Sequence, residues 1–105
     1  MERGEVRWYR FTGRDKTRPV LILTRDSAIG YLGEVTIAPI TTHVRDIPSE
    51  IVLTEEDGMP RYCAVNLDHV QTVPREKVGA LITELTADRM DEVRTALLFA
   101  LGFKE

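Results

Sequence analysis

The sequence predicts a small, mainly β domain that ends in one α-helix (α+β), arranged as a partly closed barrel. Three observations lead to this class. Short segments rich in β-branched and aromatic residues follow one another, a single segment with helical spacing comes last, and strands do not alternate with helices as in a βαβ sheet. The chain has 105 residues, and this length allows one hydrophobic core, so residues 1–105 are expected to form a single domain.

The strand-like segments are short and separated by polar turns. They are residues 6–11, 19–24, 35–40, 50–54, 62–67 and 70–73. Residues 19–24 form a continuous apolar run, which predicts a strand buried on both faces. Pro39 lacks an N–H group, so we expect it at a bulge or a sheet edge. Pro74 is expected to open one helical turn that extends to Val78.

The last segment has the spacing of an α-helix, with apolar residues at Met90, Val93, Leu97 and Leu101. Thr86 is the predicted N-cap and Gly102 the predicted stop. Three further apolar side chains widen the helix surface, namely Leu98, Phe99 and Phe103. Such a surface fits either core packing or the cover of a second subunit.

Composition excludes several classes of protein. The single cysteine, Cys63, allows no intrachain disulfide, and no His/Cys cluster has metal-ligand spacing. We therefore expect neither a metal ion nor a cofactor. No apolar run approaches the ~20 residues of a membrane-spanning helix, and the N-terminus does not resemble a secretory signal, so we expect a cytoplasmic protein. Glycine-rich phosphate loops, Gly-x-Ser-x-Gly and His-Glu-x-x-His are absent from the sequence.

The net charge of −3 hides an uneven distribution. Residues 1–25 carry seven bases and three acids, whereas the remaining residues carry seven bases and fourteen acids. The bases near the N-terminus alternate with Trp8, Tyr9 and Phe11, a composition that suits RNA phosphates and stacked bases. A solvated edge strand with a charged loop explains the same pattern.

Polar residues lie at the ends of several predicted strands, and such ends meet at one rim of a small barrel. They are Arg18, residues 41–43 and residues 66–69. The planar guanidinium of arginine suits a phosphate. RNA cleavage without a metal ion requires such a fixed cation at the phosphate that is cut. His43 and His69 are equally explained as ordinary loop residues. Cys63 lies mid-strand, so we interpret it as a small buried hydrophobe rather than a nucleophile.

Three segments, in this order, resemble the MazF/PemK family of toxin–antitoxin ribonucleases. They read Arg-Pro-Val-Leu-Ile-Leu (residues 18–23), Val-Thr-Ile-Ala-Pro-Ile-Thr (residues 35–41) and Val-Asn-Leu-Asp-His-Val-Gln-Thr (residues 65–72). Residues 3–8 and 90–103 are similar to the family's opening and terminal helix. The resemblance implies an SH3-like, plasmid-maintenance-toxin barrel that forms a homodimer whose groove takes single-stranded RNA. It also implies a MazE-like antitoxin whose acidic, disordered tail lies in that groove.

The resemblance further implies a metal-independent endoribonuclease. In this family the 2′-hydroxyl attacks the phosphate and leaves a 2′,3′-cyclic phosphate and a 5′-hydroxyl. The family's catalytic arginine and threonine fall on Arg18 and Thr41. Residues that contact RNA bases fall on Asp68 and His69, and the loop that continues the strand end adds two further RNA-binding residues, Thr42 and His43.

The chain departs from the family pattern at two places. Its first loop, residues 12–17, is short and lacks the family's Gly-Ser-Glu stretch, so Arg14 and Lys16 are expected to supply phosphate contacts there. Residues 47–50 read Ile-Pro-Ser-Glu, where relatives often have a histidine. We expect this change to place the Glu50 carboxylate near the groove.

Two other functions fit parts of the sequence. A gyrase-inhibiting toxin similar to CcdB would share the fold, but those toxins use a C-terminal Trp-Gly-Ile, and this chain ends Leu-Gly-Phe-Lys-Glu. A noncatalytic RNA-binding barrel would use the basic N-terminal residues and leave Arg18 and Thr41 without a chemical role. It would bind RNA without cutting it.

Overall fold

The computed structural model describes residues 1–12 and 17–104. Within them the chain forms seven strands, β1 to β7: Glu5–Arg10, Thr17–Ile22, Glu34–Thr41, Glu50–Leu53, Cys63–Asn66, Gln71–Pro74 and Val78–Glu84. Helix α1 is the short Asp26–Ile29, and helix α2 is Ala87–Leu101. Three 3₁₀ turns lie at Glu55–Asp57, Leu67–His69 and Arg75–Lys77. The predicted class, mainly β with a C-terminal helix, is confirmed.

The strands form one antiparallel sheet in the order β4-β5-β3-β2-β1-β7, and β6 pairs with β3 outside this path. Among the described strands, β4 and β7 do not pair with each other, so the sheet curls without closing. No helix in this part of the chain is long and apolar enough to cross a membrane.

Strand β3 pairs with three other strands. One of its sides pairs with β2, while the other pairs with β6 along Glu34–Ile37 and with β5 at Ile40–Thr41. Pro39 falls in the gap between β6 and β5. This gap is a local edge, where the N–H group that proline lacks is not needed.

Residues 20–22 of strand β2 are buried on both faces of the sheet. Leu21 packs in a cluster with Val93 and Ala96 of helix α2, while its neighbours Val20 and Ile22 pack on the other face around Ile37. Adjacent residues of a strand point to opposite faces. The apolar run that begins at Pro19 is therefore buried on both faces, as predicted.

Helix α2 begins and ends where the sequence predicts. The Thr86 hydroxyl accepts a hydrogen bond from the backbone N–H of Arg89 (3.2 Å), and Gly102 adopts a left-handed conformation with φ of 82°. Three apolar side chains near the C-terminus, Phe99, Leu101 and Phe103, stay 59%, 59% and 65% exposed. Described residues of this chain do not cover them.

Two elements were not predicted. Strand β7 pairs with β1, and helix α1 lies between strands β2 and β3. The expected helical turn after Pro74 is present at Arg75–Lys77. Strand β7 was missed because most of its residues are exposed, so the sequence lacks a buried stripe.

A partly buried ion pair attaches helix α2 to the sheet. The Arg89 guanidinium donates to both carboxylate oxygens of Asp57 (2.9 and 3.0 Å) and to the carbonyl oxygen of Val52 (2.9 Å). These hydrogen bonds from Arg89 hold the pKa of the Asp57 carboxyl below its usual value of 3.8. The pair therefore stabilises the fold while Asp57 is ionised.

We expect Asp57→Asn to lower the free energy of unfolding at pH 7 by about 1.5–3 kcal/mol, because it weakens charge-assisted hydrogen bonds. The pKa of Asp57 is lower in the folded chain than in the unfolded chain. The stabilisation by the ion pair is therefore complete above pH 3.8 and disappears as the pH falls through the folded pKa of Asp57. Urea titrations of the variant and the wild type measure the free energy of unfolding at pH 7 and at pH 2.5. The difference from wild type should shrink at the lower pH.

Glu92→Gln is the matched control. Glu92 also accepts from Arg89 (2.8 Å), but its side chain is 52% exposed. Its loss should cost about 0.5 kcal/mol or less. Equal losses in the two variants would contradict the importance given to Asp57.

Candidate functional site

Arg18 and Thr41 lie on neighbouring strands. Strand β2 pairs with β3 through Val20 opposite Pro39, and Arg18 and Thr41 lie two residues beyond this pair on their strands. Both residues line the same two cavities. The structure therefore brings together the two residues that the resemblance assigns to catalysis.

Two cavities share the wall formed by Arg18, Ile40 and Thr41. The tryptophan cavity, of about 370 Å³, is further lined by Trp8, Thr17, Pro19, Thr42, Met59, Pro60, Arg61 and Cys63. The histidine cavity, of about 430 Å³, is further lined by Pro39, His43, Arg45, Asn66 and His69. A strand of RNA that contacts the shared wall would have space on both sides.

The two polar residues of the shared wall present hydrogen-bond donors. Arg18 is exposed, and no described carboxylate lies within ion-pair distance of it. The Thr41 hydroxyl accepts from the backbone N–H of His43 (3.0 Å). A hydroxyl that accepts one hydrogen bond still has its own proton to donate. This geometry suits an anion that accepts from both side chains.

Asn66 orients Asp68 and His69. Its side-chain oxygen accepts from the backbone N–H of Asp68 (3.0 Å), so its amide nitrogen faces Nδ1 of His69 (3.2 Å). The amide can only donate there, and Nδ1 of neutral His69 must accept. The ring proton then sits on Nε2, as a donor available to a ligand. Asp68 accepts from the Ser49 hydroxyl and, like His69, remains exposed.

The expectation that Glu50 places a carboxylate near the groove is wrong. Its side chain is completely buried and accepts from both the backbone N–H (2.9 Å) and Nε (2.8 Å) of Arg45. Arg45 instead lines the histidine cavity. Arg45 was not predicted as a site residue, because no local sequence pattern shows which carboxylate will pair with it in the folded chain.

Some of the basic and aromatic N-terminal residues make contacts within the fold, and others line a cavity. Arg7 donates to Glu5 (2.7 Å) and to the carbonyl oxygen of Gly79 (2.9 Å), while Tyr9 is buried. Strand β1 lies between β2 and β7, so it is not the edge strand of the alternative interpretation. Trp8 lines a cavity. Arg14 and Lys16 lie outside the described residues.

Other sequence interpretations can be compared with the structure. Thr42 and His43 are exposed after β3. Cys63 is buried, and this burial raises the pKa of its thiol. The thiol is therefore a poor nucleophile. In the described ranges, no group of three or more His, Cys, Asp or Glu residues is arranged to hold a metal ion.

Comparison with known proteins identifies the family. A model of PemK-like, MazF-like toxins of type II toxin–antitoxin systems matches residues 2–101. The chain belongs to this family. Probable endoribonuclease MazF2 of Mycobacterium tuberculosis is 38% identical over 104 residues, which are 97% of this chain and 99% of that protein.

Solved structures of MazF proteins have the same fold. The toxin MazF-mt6 of Mycobacterium tuberculosis superposes with a TM-score of 0.88 at 33% identity, over 96% of this chain and 99% of the other. An endoribonuclease from mycobacterial species, solved in complex with its cognate antitoxin, gives 0.87 at 28% identity and covers 100% of this chain and 98% of its own. The predicted family and MazF-like fold are confirmed.

We expect NMR to find neutral His69 with its proton on Nε2. Long-range ¹H–¹⁵N spectra at pH 8.5 distinguish the two ring nitrogens. His43 serves as an internal control because its ring has no hydrogen-bond partner among the described residues, so it should populate both tautomers. A proton on Nδ1 of His69 would contradict the role given to Asn66.

Proposed function

We propose that this chain is a toxin endoribonuclease that cuts single-stranded RNA at Arg18 and Thr41 without a metal ion. The family supports the class of enzyme, since relatives in it are named endoribonucleases. One observation supports the site: Arg18 and Thr41 lie on the neighbouring strands β2 and β3, in the wall that two cavities share. Both side chains have donors without a described partner there.

The proposed reaction is an internal transesterification. The 2′-oxygen forms a bond to phosphorus while the bond from phosphorus to the 5′-oxygen breaks. The 2′-hydroxyl loses one proton and the 5′-oxygen gains one, so the products are a 2′,3′-cyclic phosphate and a 5′-hydroxyl. Negative charge accumulates on the other phosphate oxygens in the transition state, and donors placed around them lower the barrier.

Arg18 would stabilise this charge rather than move protons. A guanidinium remains charged and is a weak base at neutral pH. Its planar array of donors can form two parallel hydrogen bonds to a phosphate. The Thr41 hydroxyl would donate to the same phosphate, held in place by the backbone N–H of His43 that it accepts from.

The RNA strand would cross both cavities. Asp68 and His69 would contact bases beside the histidine cavity, because Asp68 accepts from exocyclic amines and His69 donates from Nε2. Thr42 and His43 would lie along the path between strand ends. In the tryptophan cavity, the ring of Trp8 offers a stacking surface. Arg14 and Lys16 would add phosphate contacts from the first loop.

We also propose that a MazE-like antitoxin neutralises this chain in the cytoplasm. The mycobacterial structure with its cognate antitoxin supports this. An acidic, disordered tail would occupy the same path as RNA, since the shared wall carries Arg18 and the neighbouring cavities carry Arg45 and Arg61.

A homodimer is part of the proposal. Phe99 and Leu101 at the end of helix α2, and Phe103 just beyond it, are exposed apolar side chains. A third cavity, of about 610 Å³, adjoins it and is lined in part by Leu32, Leu97 and Leu101. A second copy that covers this surface would bury the exposed side chains and extend the RNA groove across two subunits.

Arg18→Ala and Thr41→Val should each reduce the rate of RNA cleavage about 10²–10³-fold, because each removes a donor to the charged phosphate. Purified proteins are incubated in EDTA with RNA of mixed sequence, and the product ends are mapped. Arg75→Ala and Thr95→Val are the matched controls and should cut at the wild-type rate. Arg75 lies beyond β6, and Thr95 is exposed on helix α2.

The alternatives give different results. RNA binding without cutting by wild type would favour the noncatalytic barrel. Neither binding nor cutting would favour a toxin that inhibits gyrase. Cutting that persists in Arg18→Ala and Thr41→Val would refute the proposed site, although the chain would remain a ribonuclease.

A further inference from the structure

The strongest unassigned feature is the ion pair between the buried carboxylate of Glu50 and the partly exposed side chain of Arg45. Glu50 begins strand β4, and none of its side chain is exposed. Burying an isolated carboxylate is very unfavourable, so such groups are retained only with charged or hydrogen-bonding partners. Both carboxylate oxygens here accept from Arg45, one from its backbone N–H and one from Nε.

These two hydrogen bonds fix the Arg45 guanidinium. The bond to the backbone holds the loop at Arg45, and the bond to Nε sets the plane of the side chain. The two terminal nitrogens, Nη1 and Nη2, have no acceptor among the described residues, and the side chain is 43% exposed. An ordinary surface arginine would lose side-chain entropy on binding a ligand, whereas Arg45 is already ordered.

The ordered guanidinium belongs to the wall of the histidine cavity. Arg18 and Thr41 line the same cavity, and no Asp or Glu is among its described lining residues. The Glu50 carboxylate balances the charge of Arg45 through the hydrogen bond to Nε. The Nη1 and Nη2 donors of the same guanidinium are not used by Glu50. The cavity thus has a second arginine beside the proposed cleavage site, and both suit phosphate oxygens.

We propose that Arg45 binds the RNA phosphate next to the one that is cut, and that Glu50 is its positioning residue. This inference rests on the proposed function. Arg18 and Thr41 would hold the reacting phosphate, while Arg45 would hold its neighbour on the side of the histidine cavity. The RNA strand would then be fixed at two successive phosphates.

The test measures binding of a mixed-sequence, single-stranded 2′-O-methyl RNA between 0.05 and 0.3 M salt. This RNA lacks the attacking hydroxyl, so cleavage does not compete with binding. The principal variant is Arg45→Gln with Glu50→Gln, because Arg45→Gln alone would leave a buried carboxylate unpaired. Arg45→Lys tests charge without the guanidinium plane, and Glu50→Gln alone tests positioning. Arg75→Gln, beyond the far end of β3, is the matched control.

We expect the double variant to bind about tenfold more weakly at 0.1 M salt. The slope of log affinity against log salt should fall in magnitude by about 0.7, the value for one phosphate contact on a single strand. Arg45→Lys should keep the slope and recover part of the affinity. Glu50→Gln should also keep the slope while affinity falls, since the charge remains but its placement is lost. Arg75→Gln should match wild type.

A double variant with the wild-type slope and affinity would overturn the proposal, as would an equal fall in slope in Arg75→Gln. A lower melting temperature without a change of slope would show a purely structural pair and would also overturn it. Cleavage of unmodified RNA by wild type is measured in parallel. If wild type does not cut but the slope falls as expected, the proposed function fails while Arg45 remains a phosphate-binding residue.

Discussion

The geometry of the site depends on strand β3 and on the partners it exchanges at Pro39. Along Glu34–Ile37 the strand pairs with β6, and at Ile40–Thr41 it pairs with β5, while β2 stays on its other side. This arrangement leaves Thr41 at the end of β3, where it lines the same two cavities as Arg18. It also brings the turn after β5, with Asp68 and His69, to the same end. The sheet thereby gathers at one rim residues that are far apart in the chain.

Hydrogen bonds at this rim orient side chains before any ligand binds. His43 holds the Thr41 hydroxyl, Asn66 sets the His69 ring, and Glu50 fixes Arg45. Donors that are already ordered need little reorganisation when charge develops on a phosphate, and this lowers the barrier to reaction. The net charge of −3 does not prevent RNA binding, because acids are absent from the described lining of both cavities. This endoribonuclease toxin therefore combines an acidic composition with a cationic site.

Sequence patterns identified the elements that have strong local signals. The apolar run from Pro19 and the capped helix from Thr86 to Gly102 were predicted closely, since burial and end residues are visible in the sequence. Strand β7 lacked such a signal because it is held by pairing with β1 rather than by burial. Within the site, Arg18 and Thr41 were found by resemblance, whereas Arg45 and Asn66 were not assigned. Their roles depend on contacts set by the folded chain, which no spacing rule describes.

The most direct test of the account compares two forms of one oligonucleotide in EDTA. The first is an RNA with a mapped cut site, and the second has a single 2′-deoxynucleotide immediately 5′ of that cut. The account predicts that the first gives a 2′,3′-cyclic phosphate and a 5′-hydroxyl, and that the second is not cut at that position. Cleavage of the second form there would show that the attacking oxygen is not the 2′-hydroxyl, and would contradict the proposed reaction at Arg18 and Thr41.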